Sequence, residues 1–259
     1  MQKIKDLFKN QSGLLAVLAA ITAGLVWLAI PAGNWLGRFW SVGSSVCHQI
    51  PSHSLIHNYF QFPLCARCTG LYIGCLVSLI YYFTQGKRKS LPERPYRYAL
   101  LFFFILWAGD GLNSFLNDLL NRIILYETTN ITRLVTGFGM GLVMSTALMT
   151  LFNTVVWKDA ENSALLQNIT QIFFYAFTSL FFGWMLLHPS KFFFNIMSLA
   201  SIITVLIVIS MLYMIFWVII LKKENQFKSF PQLIPYILVG LATALTQVYL
   251  LNMLRSQVL

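Results

Sequence analysis

The sequence has little charge. Of its 259 residues only 10% are Asp, Glu, Lys or Arg, whereas a soluble domain carries about 25%. This scarcity excludes an ordinary cytosolic enzyme and a disordered chain, because both need a charged, solvated surface. Only four cysteines occur in the whole chain, which also excludes a small secreted domain held together by disulfides.

What the sequence has instead is apolar residues in long runs. Residues of the AVILMFWYC group make up 58% of the chain, and the mean hydropathy is +0.69. Several nearly uncharged runs are long enough to cross about 30 Å of hydrocarbon. They show no strand-like alternation, so helices are the spanning structure that the pattern favours. We therefore predict an all-α fold, a polytopic transmembrane helix bundle that forms a single domain over 1–259.

The apolar runs predict seven spans. They cover 13–36, 65–84, 98–117, 134–157, 168–187, 192–221 and 232–254. The longest segment outside the spans is the polar loop at 37–64. Loops of this length in a compact protein are often functional. The link at 188–191 is either a short loop or a kink in one long helix.

The basic residues predict the orientation of the chain. The net charge is +10, and the basic residues lie at the ends of apolar runs, which is typical of topology signals and not of a nucleic-acid surface. With the N-terminus inside, the inner segments hold twelve of the 18 basic residues, including Lys3, Lys5, Lys9 and those of the loop at 85–97. We predict a multi-pass protein of the inner (cytoplasmic) cell membrane, with its C-terminus outside. Its expected partner is the lipid bilayer, and no nucleic acid is expected.

Cysteine and histidine are concentrated in one segment. Three of the four cysteines and three of the four histidines lie within residues 47–68. Cys47 and His48 are adjacent, whereas Cys65 and Cys68 are i and i+3 neighbours at the outer end of the second span. Three sulfur atoms and an imidazole suit a tetrahedral metal site. These four side chains are therefore predicted to bind zinc or another divalent metal, either for catalysis or to hold the loop.

Thiol–disulfide chemistry is a second interpretation of the same residues. A Cys-x-x-Cys pair at a helix N-terminus, with Arg67 between the two cysteines, favours the thiolate form through the helix dipole and the cation. Cys47 would be a resolving thiol, and a membrane quinone would accept the electrons. A plain structural disulfide between Cys47 and Cys65 is also open. A small-solute transporter is disfavoured, because the sequence shows no two matching halves.

One carboxylate, Asp110, lies inside the third predicted span, about 10 Å from its outer end. A charge there costs about 2.5–3.5 kcal/mol, so it needs a partner. Arg133 is the favoured counter-charge and Arg67 the other candidate, unless Asp110 and Arg133 form a purely structural pair. Asp110 is predicted to be a general base or a carboxylate that supports the metal ligands. The arginines would fix it or bind an anionic group such as a lipid phosphate. Asn113 and Asn117 continue one polar stripe from Asp110.

Small residues recur every four positions on two of the spans. They are Gly70, Gly74 and Ser78 on the second span and Gly137, Gly141 and Ser145 on the fourth. Such ridges allow two membrane helices to approach closely. This approach would bring Arg67 and Arg133 towards Asp110, beneath the cysteine-bearing loop.

Two segments carry a family resemblance: CHQ-x-P at Cys47–Pro51 and PLCARCTG-x-Y-x-G at Pro63–Gly74. They resemble the hallmark of a family of bacterial and archaeal integral membrane proteins of unknown function. The resemblance continues at Asp110, Gly111 and Asn113, and at Arg133, Leu134, Thr136 and Gly137. It covers roughly 45–141 and implies a shared architecture and a shared site, but no reaction. Near position 53 the family usually has arginine where this chain has His53, so no role for His53 is implied.

Overall fold

The computed structural model describes residues 11–32 and 34–258. Lys3, Lys5 and Lys9, which contribute to the predicted orientation, lie outside the described residues. The helices are α1 (Gln11–Ala29), α2 (Trp35–Val46), α3 (Ala66–Thr84), α4 (Arg94–Leu120), α5 (Asn130–Val156), α6 (Ile169–Leu187), α7 (Lys191–Ile220) and α8 (Ile234–Val258). The strands are β1 (Ser54–His57), β2 (Phe60–Cys65), β3 (Arg88–Ser90) and β4 (Glu161–Ala164).

Within the described ranges, seven helices are long and apolar enough to cross a membrane, namely all except α2. This confirms the prediction of an all-α polytopic bundle. The first span is shorter than predicted, because α1 ends at Ala29 and α2 follows as a separate helix. The link after α6 is a break between two helices and not a kink, since His188 leaves the helical conformation with φ −124° and ψ 57°.

The chain forms two compact units, which are described separately. The first unit consists of the described residues up to Ser45 together with Leu151–Ala160 and Val205–Leu259. The second unit consists of Val46–Thr150 and Glu161–Thr204. Helices α5 and α7 contribute to both units. A single transmembrane domain over the whole chain stays a prediction.

The first unit is built on the packing of α1 along α8. Its polar contacts join α8 to the end of α2. The amide nitrogen of Asn252 donates to the carbonyl of Ser41 at 2.8 Å, and its oxygen accepts from the hydroxyl of Ser44 at 2.7 Å. Arg255 donates to the carbonyl of Ser44 at 2.8 Å. These bonds satisfy polar groups at the end of an otherwise apolar helix pair.

In the second unit, α3 and α5 pack backbone against backbone. A methyl group on Gly70 would overlap the carbonyl oxygen of Leu134, and one on Gly137 would overlap the carbonyl oxygen of Arg67. The glycines are therefore required by the packing itself. This confirms the predicted close approach of the second and fourth spans. It also brings the first turn of α3 next to the first turns of α5.

The predicted loop at 37–64 has its own structure. After α2, a short 3₁₀ turn at Pro51–His53 leads into an antiparallel hairpin of β1 and β2. Ser54 pairs with Cys65 at the base of the hairpin. At its tip Asn58 and Tyr59 both have positive φ, 47° and 66°, as a two-residue type I′ turn requires. The sequence did not signal this hairpin, because the turn contains no glycine.

Candidate functional site

Three cysteines come together at one end of the second unit. Cys47 follows α2, Cys65 ends β2, and Cys68 lies in the first turn of α3. Their sulfur atoms all lie within 4.8 Å of one another. All four cysteines of the chain are described, and all are free thiols, so the Cys47–Cys65 disulfide is not formed. We call Cys47, Cys65 and Cys68 the cysteine cluster.

The start of α3 positions two of these sulfur atoms. Cys65 is the N-cap residue of α3, and its sulfur faces the backbone N–H of Cys68 at 3.5 Å. The N–H of Cys65 donates to the sulfur of Cys47 at 3.1 Å. The helix begins at Ala66, slightly later than predicted, because Pro63 belongs to β2. The cluster therefore lies at a helix N-terminus, where the peptide dipoles favour negative charge.

Protons are shared unequally within the cysteine cluster. Hydrogen bonds from the side chains of Cys65 and Cys68 lower the pKa of Cys47 far below the ordinary value of a thiol. The hydrogen bond to Cys47 raises the pKa of Cys65 to about 11. At neutral pH, a cluster without a cation therefore consists of one thiolate held by thiols. A metal ion would displace the remaining thiol protons.

His48, the fourth predicted ligand, lies beside the cysteine cluster. Its Nδ1 is 3.8 Å from the sulfur of Cys47. Nitrogen and sulfur ligands of one tetrahedral zinc ion are roughly 3.6 Å apart, so this distance suits a shared ion. However, the ring nitrogens of His48 are not among the ligand atoms that lie within 4.8 Å of all three sulfur atoms. The role of His48 as a ligand stays a prediction.

Two residues that sequence analysis did not assign to the site lie behind His48. Its Nε2 is 3.5 Å from Nδ1 of His53, and Nε2 of His53 is 3.4 Å from a carboxylate oxygen of Asp118 in α4. Burial and the charge of Arg133 lower the pKa of His53. The His53 ring is therefore neutral at pH 7, and its Nε2 faces the carboxylate of Asp118. Sequence analysis did not identify Asp118, which directly follows Asn117 of the polar stripe.

Asp110 is buried, and both of its carboxylate oxygens are occupied. Arg67 lies against Oδ2 through Nε at 3.0 Å and Nη2 at 2.5 Å. The hydroxyl of Thr136 donates to the same oxygen at 3.2 Å, and the hydroxyl of Tyr126 donates to Oδ1 at 2.7 Å. We call these four residues the carboxylate cluster. The predicted intramembrane Asp–Arg pair is thus present, with Arg67 as the counter-charge.

The expectation that Arg133 is the main partner of Asp110 is wrong. Its guanidinium instead donates to three neutral oxygens, those of Ser114 at 3.1 Å, Thr128 at 2.9 Å and Asn130 at 3.3 Å. Ion pairs found in the described part of the chain do not include Arg133. Arg67 instead lies against α4, where its Nη1 is 3.9 Å from the position of a methyl group on Gly111, one residue after Asp110.

The polar stripe of α4 shapes the loop that follows it. The amide nitrogens of Asn113 and Asn117 each donate to the carbonyl oxygen of Tyr126 at 2.9 Å. Their oxygens accept from the backbone N–H groups of Leu125 at 3.2 Å and Ile124 at 2.8 Å. These bonds fix the loop so that the hydroxyl of Tyr126 reaches Asp110. Sequence analysis missed Tyr126, because its role depends on the conformation of the loop.

The segment of the chain that carries this site is similar to known proteins. Residues 47–147 match the model of a family described as "Predicted membrane protein (DUF2085)". An uncharacterized protein of Methanocaldococcus jannaschii is 29% identical over 119 residues, which are 46% of this chain and 71% of that protein. An uncharacterized protein of Methanothermobacter thermautotrophicus is 26% identical over 106 residues, 40% of this chain and 86% of that protein. No solved structure matches the chain. The similarity to membrane proteins thus includes the cysteine and carboxylate clusters.

Proposed function

We propose that this chain is a multi-pass protein of the cytoplasmic membrane whose cysteine cluster binds one metal ion, with zinc as the first candidate. The observation that carries the proposal is the approach of three sulfur atoms, from two separate segments, to within 4.8 Å of one another. Sulfur ligands on a tetrahedral zinc ion are roughly 3.8 Å apart, so small side-chain rotations suffice to close the site.

His48 is the proposed fourth ligand, through Nδ1. A metal-bound histidine usually donates its other N–H to a neighbouring group that fixes the ring. Here Nε2 of His48 faces His53, which in turn faces Asp118. We assign His53 and Asp118 the role of positioning residues, because they hold His48 with Nδ1 towards the sulfur of Cys47.

The carboxylate cluster orients Arg67 in this proposal. Both oxygens of Asp110 accept hydrogen bonds, so the carboxylate has little capacity left to act as a general base. Arg67 lies between Cys65 and Cys68 in the sequence, and its fixed side chain therefore helps to set the first turn of α3. The binding of an anionic lipid headgroup by Arg67 and Arg133 stays a prediction.

Metal analysis of detergent-purified protein tests the metal site. We expect about one metal ion per chain, lost in a Cys65→Ala, Cys68→Ala double variant. Cys75→Ala is the matched control, because Cys75 is fully buried in α3 and lies outside the cysteine cluster. A protein that binds no zinc even after incubation with zinc under reducing conditions contradicts the proposal.

A histidine series tests the fourth ligand. His53→Leu should weaken zinc affinity about 10–100-fold while leaving the stoichiometry unchanged at saturating zinc. His57→Leu is the matched control, because His57 ends β1 and its ring stacks on Phe194. If His48→Ala binds zinc as tightly as the native chain, His48 is not a ligand and the fourth position belongs to water or substrate.

Thiol–disulfide exchange is the second candidate, and the approach of the three sulfur atoms favours it. Cys65 and Cys68 would form the disulfide, and the Cys47 thiolate would be the resolving thiol that attacks it. Oxidation of Cys65 and Cys68 to a disulfide would release two electrons and two protons, and a membrane quinone is the proposed acceptor. Mass mapping after exposure to a soluble quinone should then find a reducible Cys65–Cys68 bond. Cysteines that all stay reduced would exclude this function.

The orientation of the chain in the membrane is tested separately, by labelling of introduced cysteines. Ser52 is exposed near the cysteine cluster, and Asn162 is exposed on β4. With the N-terminus inside, an impermeant thiol reagent added to intact cells should label a cysteine at position 52 but not one at position 162, as shown by mass mapping. The reverse pattern contradicts the proposed orientation.

A further inference from the structure

We propose that the tip of the β1–β2 hairpin inserts into the interfacial zone of the bilayer on the cysteine-bearing side, with Tyr59 and Phe60 as its anchors. The partner is the headgroup and upper acyl region of the surrounding lipid. This inference goes beyond the metal site, and it does not depend on whether the cysteine cluster binds a metal ion.

The first observation is the absence of charge from a long extramembrane segment. Residues 39–66 contain no Asp, Glu, Lys or Arg. Surface loops that stand in bulk water usually carry charges, which keep them solvated. A segment without them between two membrane spans is suited to the boundary between water and lipid.

The second observation is the set of side chains that the tip exposes. Ile56 is 56% exposed, Phe60 is 70% exposed, and Tyr59 is exposed completely. Tyr59 and Phe60 are adjacent and form an exposed aromatic surface at the tip, which marks an interaction site. Ile56 adds an exposed apolar side chain on the other face of the hairpin. Tyrosine and tryptophan are enriched where a membrane protein crosses the lipid–water interface, because one end of the ring is apolar and the other polar.

The third observation is the backbone of Tyr59. Its φ of 66° lies in the left-handed region, which is strained for a residue with a side chain and almost unstrained for glycine. The second position of a type I′ turn normally has glycine. A tyrosine here makes no use of its side chain within the described chain beyond being presented outward, so its function lies in contact with something outside it.

The fourth observation fixes the level of the hairpin. The rings of His57 and Phe62 pack on the ring of Phe194, with centroid distances of 5.6 Å and 5.2 Å. Phe194 is in the first turn of α7, a membrane-spanning helix. The hairpin therefore lies where α7 enters the membrane. Phe192, two residues earlier on α7, is 76% exposed.

These observations favour lipid over a protein partner. The tip is uncharged, exposes two aromatic side chains and is attached to the entry point of a membrane helix, so the bilayer is the surface that it meets first. One consequence concerns the site: β2 ends at Cys65, so an anchored hairpin keeps the cysteine cluster at the membrane surface. Substrates or electron acceptors dissolved in the bilayer would then reach it.

A depth measurement in lipid tests the proposal. The full chain is reconstituted in phosphatidylcholine vesicles with a long-wavelength fluorescent amino acid at position 60, and lipids with a doxyl group near the headgroup are added. We expect the emission to shift to shorter wavelength than in denaturant and to be quenched by the doxyl lipids. The matched control carries the same residue at the exposed position 162 and should show neither effect.

Two results would overturn the proposal that the hairpin tip inserts into the bilayer. Water-like emission at position 60, with no more quenching than at position 162, overturns the proposal. A benzophenone amino acid at position 60 that captures a protein chain and no lipid also overturns it. If the substitution of Phe60 prevents folding, the same two probes at Tyr59 give the same decision, because Tyr59 is the second proposed anchor and is fully exposed.

Discussion

The cysteine cluster and the carboxylate cluster both lie at the start of α3, yet they use their polar atoms differently. Every oxygen of the Asp110 side chain accepts a hydrogen bond. The sulfur atoms, by contrast, share protons among themselves and have room for a cation between them. The comparison indicates that the carboxylate cluster holds helices together, while the cysteine cluster is available for chemistry. Four predictions test this division, from the largest expected effect to the smallest.

The largest effect should follow removal of Asp110. Asp110→Leu leaves Arg67 half-buried without its partner and should lower the free energy of unfolding by about 3–5 kcal/mol. Unfolding in detergent, followed by circular dichroism, measures it. Asp110→Leu combined with Arg67→Met should recover most of the stability, because no uncompensated charge remains. If the single variant is as stable as the native chain, the carboxylate cluster is not a structural element.

The next prediction concerns the different reactivity of the thiols of Cys47 and Cys65. At pH 7 roughly one Cys65 in ten thousand is a thiolate, given its raised pKa of about 11. Cys47, whose pKa is lowered, is already ionised. In metal-free protein Cys65 should therefore react with iodoacetamide only through this small thiolate fraction, whereas Cys47 reacts as a thiolate throughout.

The pH dependence of alkylation distinguishes the two sites further. The rate at Cys65 should rise about tenfold per pH unit up to its pKa, because only the thiolate reacts. The rate at Cys47 should stay flat over the same range. Mass mapping of timed reactions measures both rates, with buried Cys75 as the unreactive control. A rate at Cys65 that does not rise with pH would contradict the unequal sharing of protons.

A smaller effect is expected at the helix contact that supports both clusters. Gly70→Leu would force α3 away from the carbonyl oxygen of Leu134 and should cost about 1–3 kcal/mol of stability. Gly109→Leu on α4 is the matched control, since a methyl group there meets nothing within 4 Å. Thermal unfolding of both variants in the same detergent gives the comparison. Equal losses would show that α3 and α5 do not depend on this contact.

The smallest effect concerns one hydrogen bond of the carboxylate cluster. Tyr126→Phe removes the donor to Oδ1 of Asp110 and should cost about 1.5 kcal/mol, a value typical of a bond to a charged group. Zinc stoichiometry should not change, because the tyrosine does not touch the cysteine cluster. A loss of metal in this variant would mean that the two clusters act as one unit.

The sequence predicted those features that depend on short-range patterns. Hydrophobic runs predicted the seven spans, and the spacing of Gly70 and Gly137 predicted the approach of α3 and α5. The grouping of Cys47 with Cys65 and Cys68 followed from their concentration in one segment. In each case one physical requirement, such as burial or close packing, leaves a periodic or local trace in the residues.

Features that depend on tertiary contacts were missed. Arg67 and Arg133 are equally suited to Asp110 by charge. Which of them pairs with it depends on how closely α3 packs against α4. The hairpin at Ser54–Cys65 has no glycine turn signal, and its residues pair through a bulge. Asp118 joins the site only because His53 lies over the end of α4. None of these contacts leaves a periodic pattern in the sequence.

The ion pair between Arg67 and Asp110 has a consequence for how the chain enters the membrane. The charge of Asp110 alone opposes insertion of α4 by about 2.5–3.5 kcal/mol, and it is neutralised only when α3 brings Arg67 alongside. The two helices should therefore leave the translocation channel as a pair. Glycosylation mapping should then show that α4 inserts efficiently behind native α3 but poorly behind an α3 with Arg67→Ala. In this view Arg67 takes part in assembly before it contributes to any site.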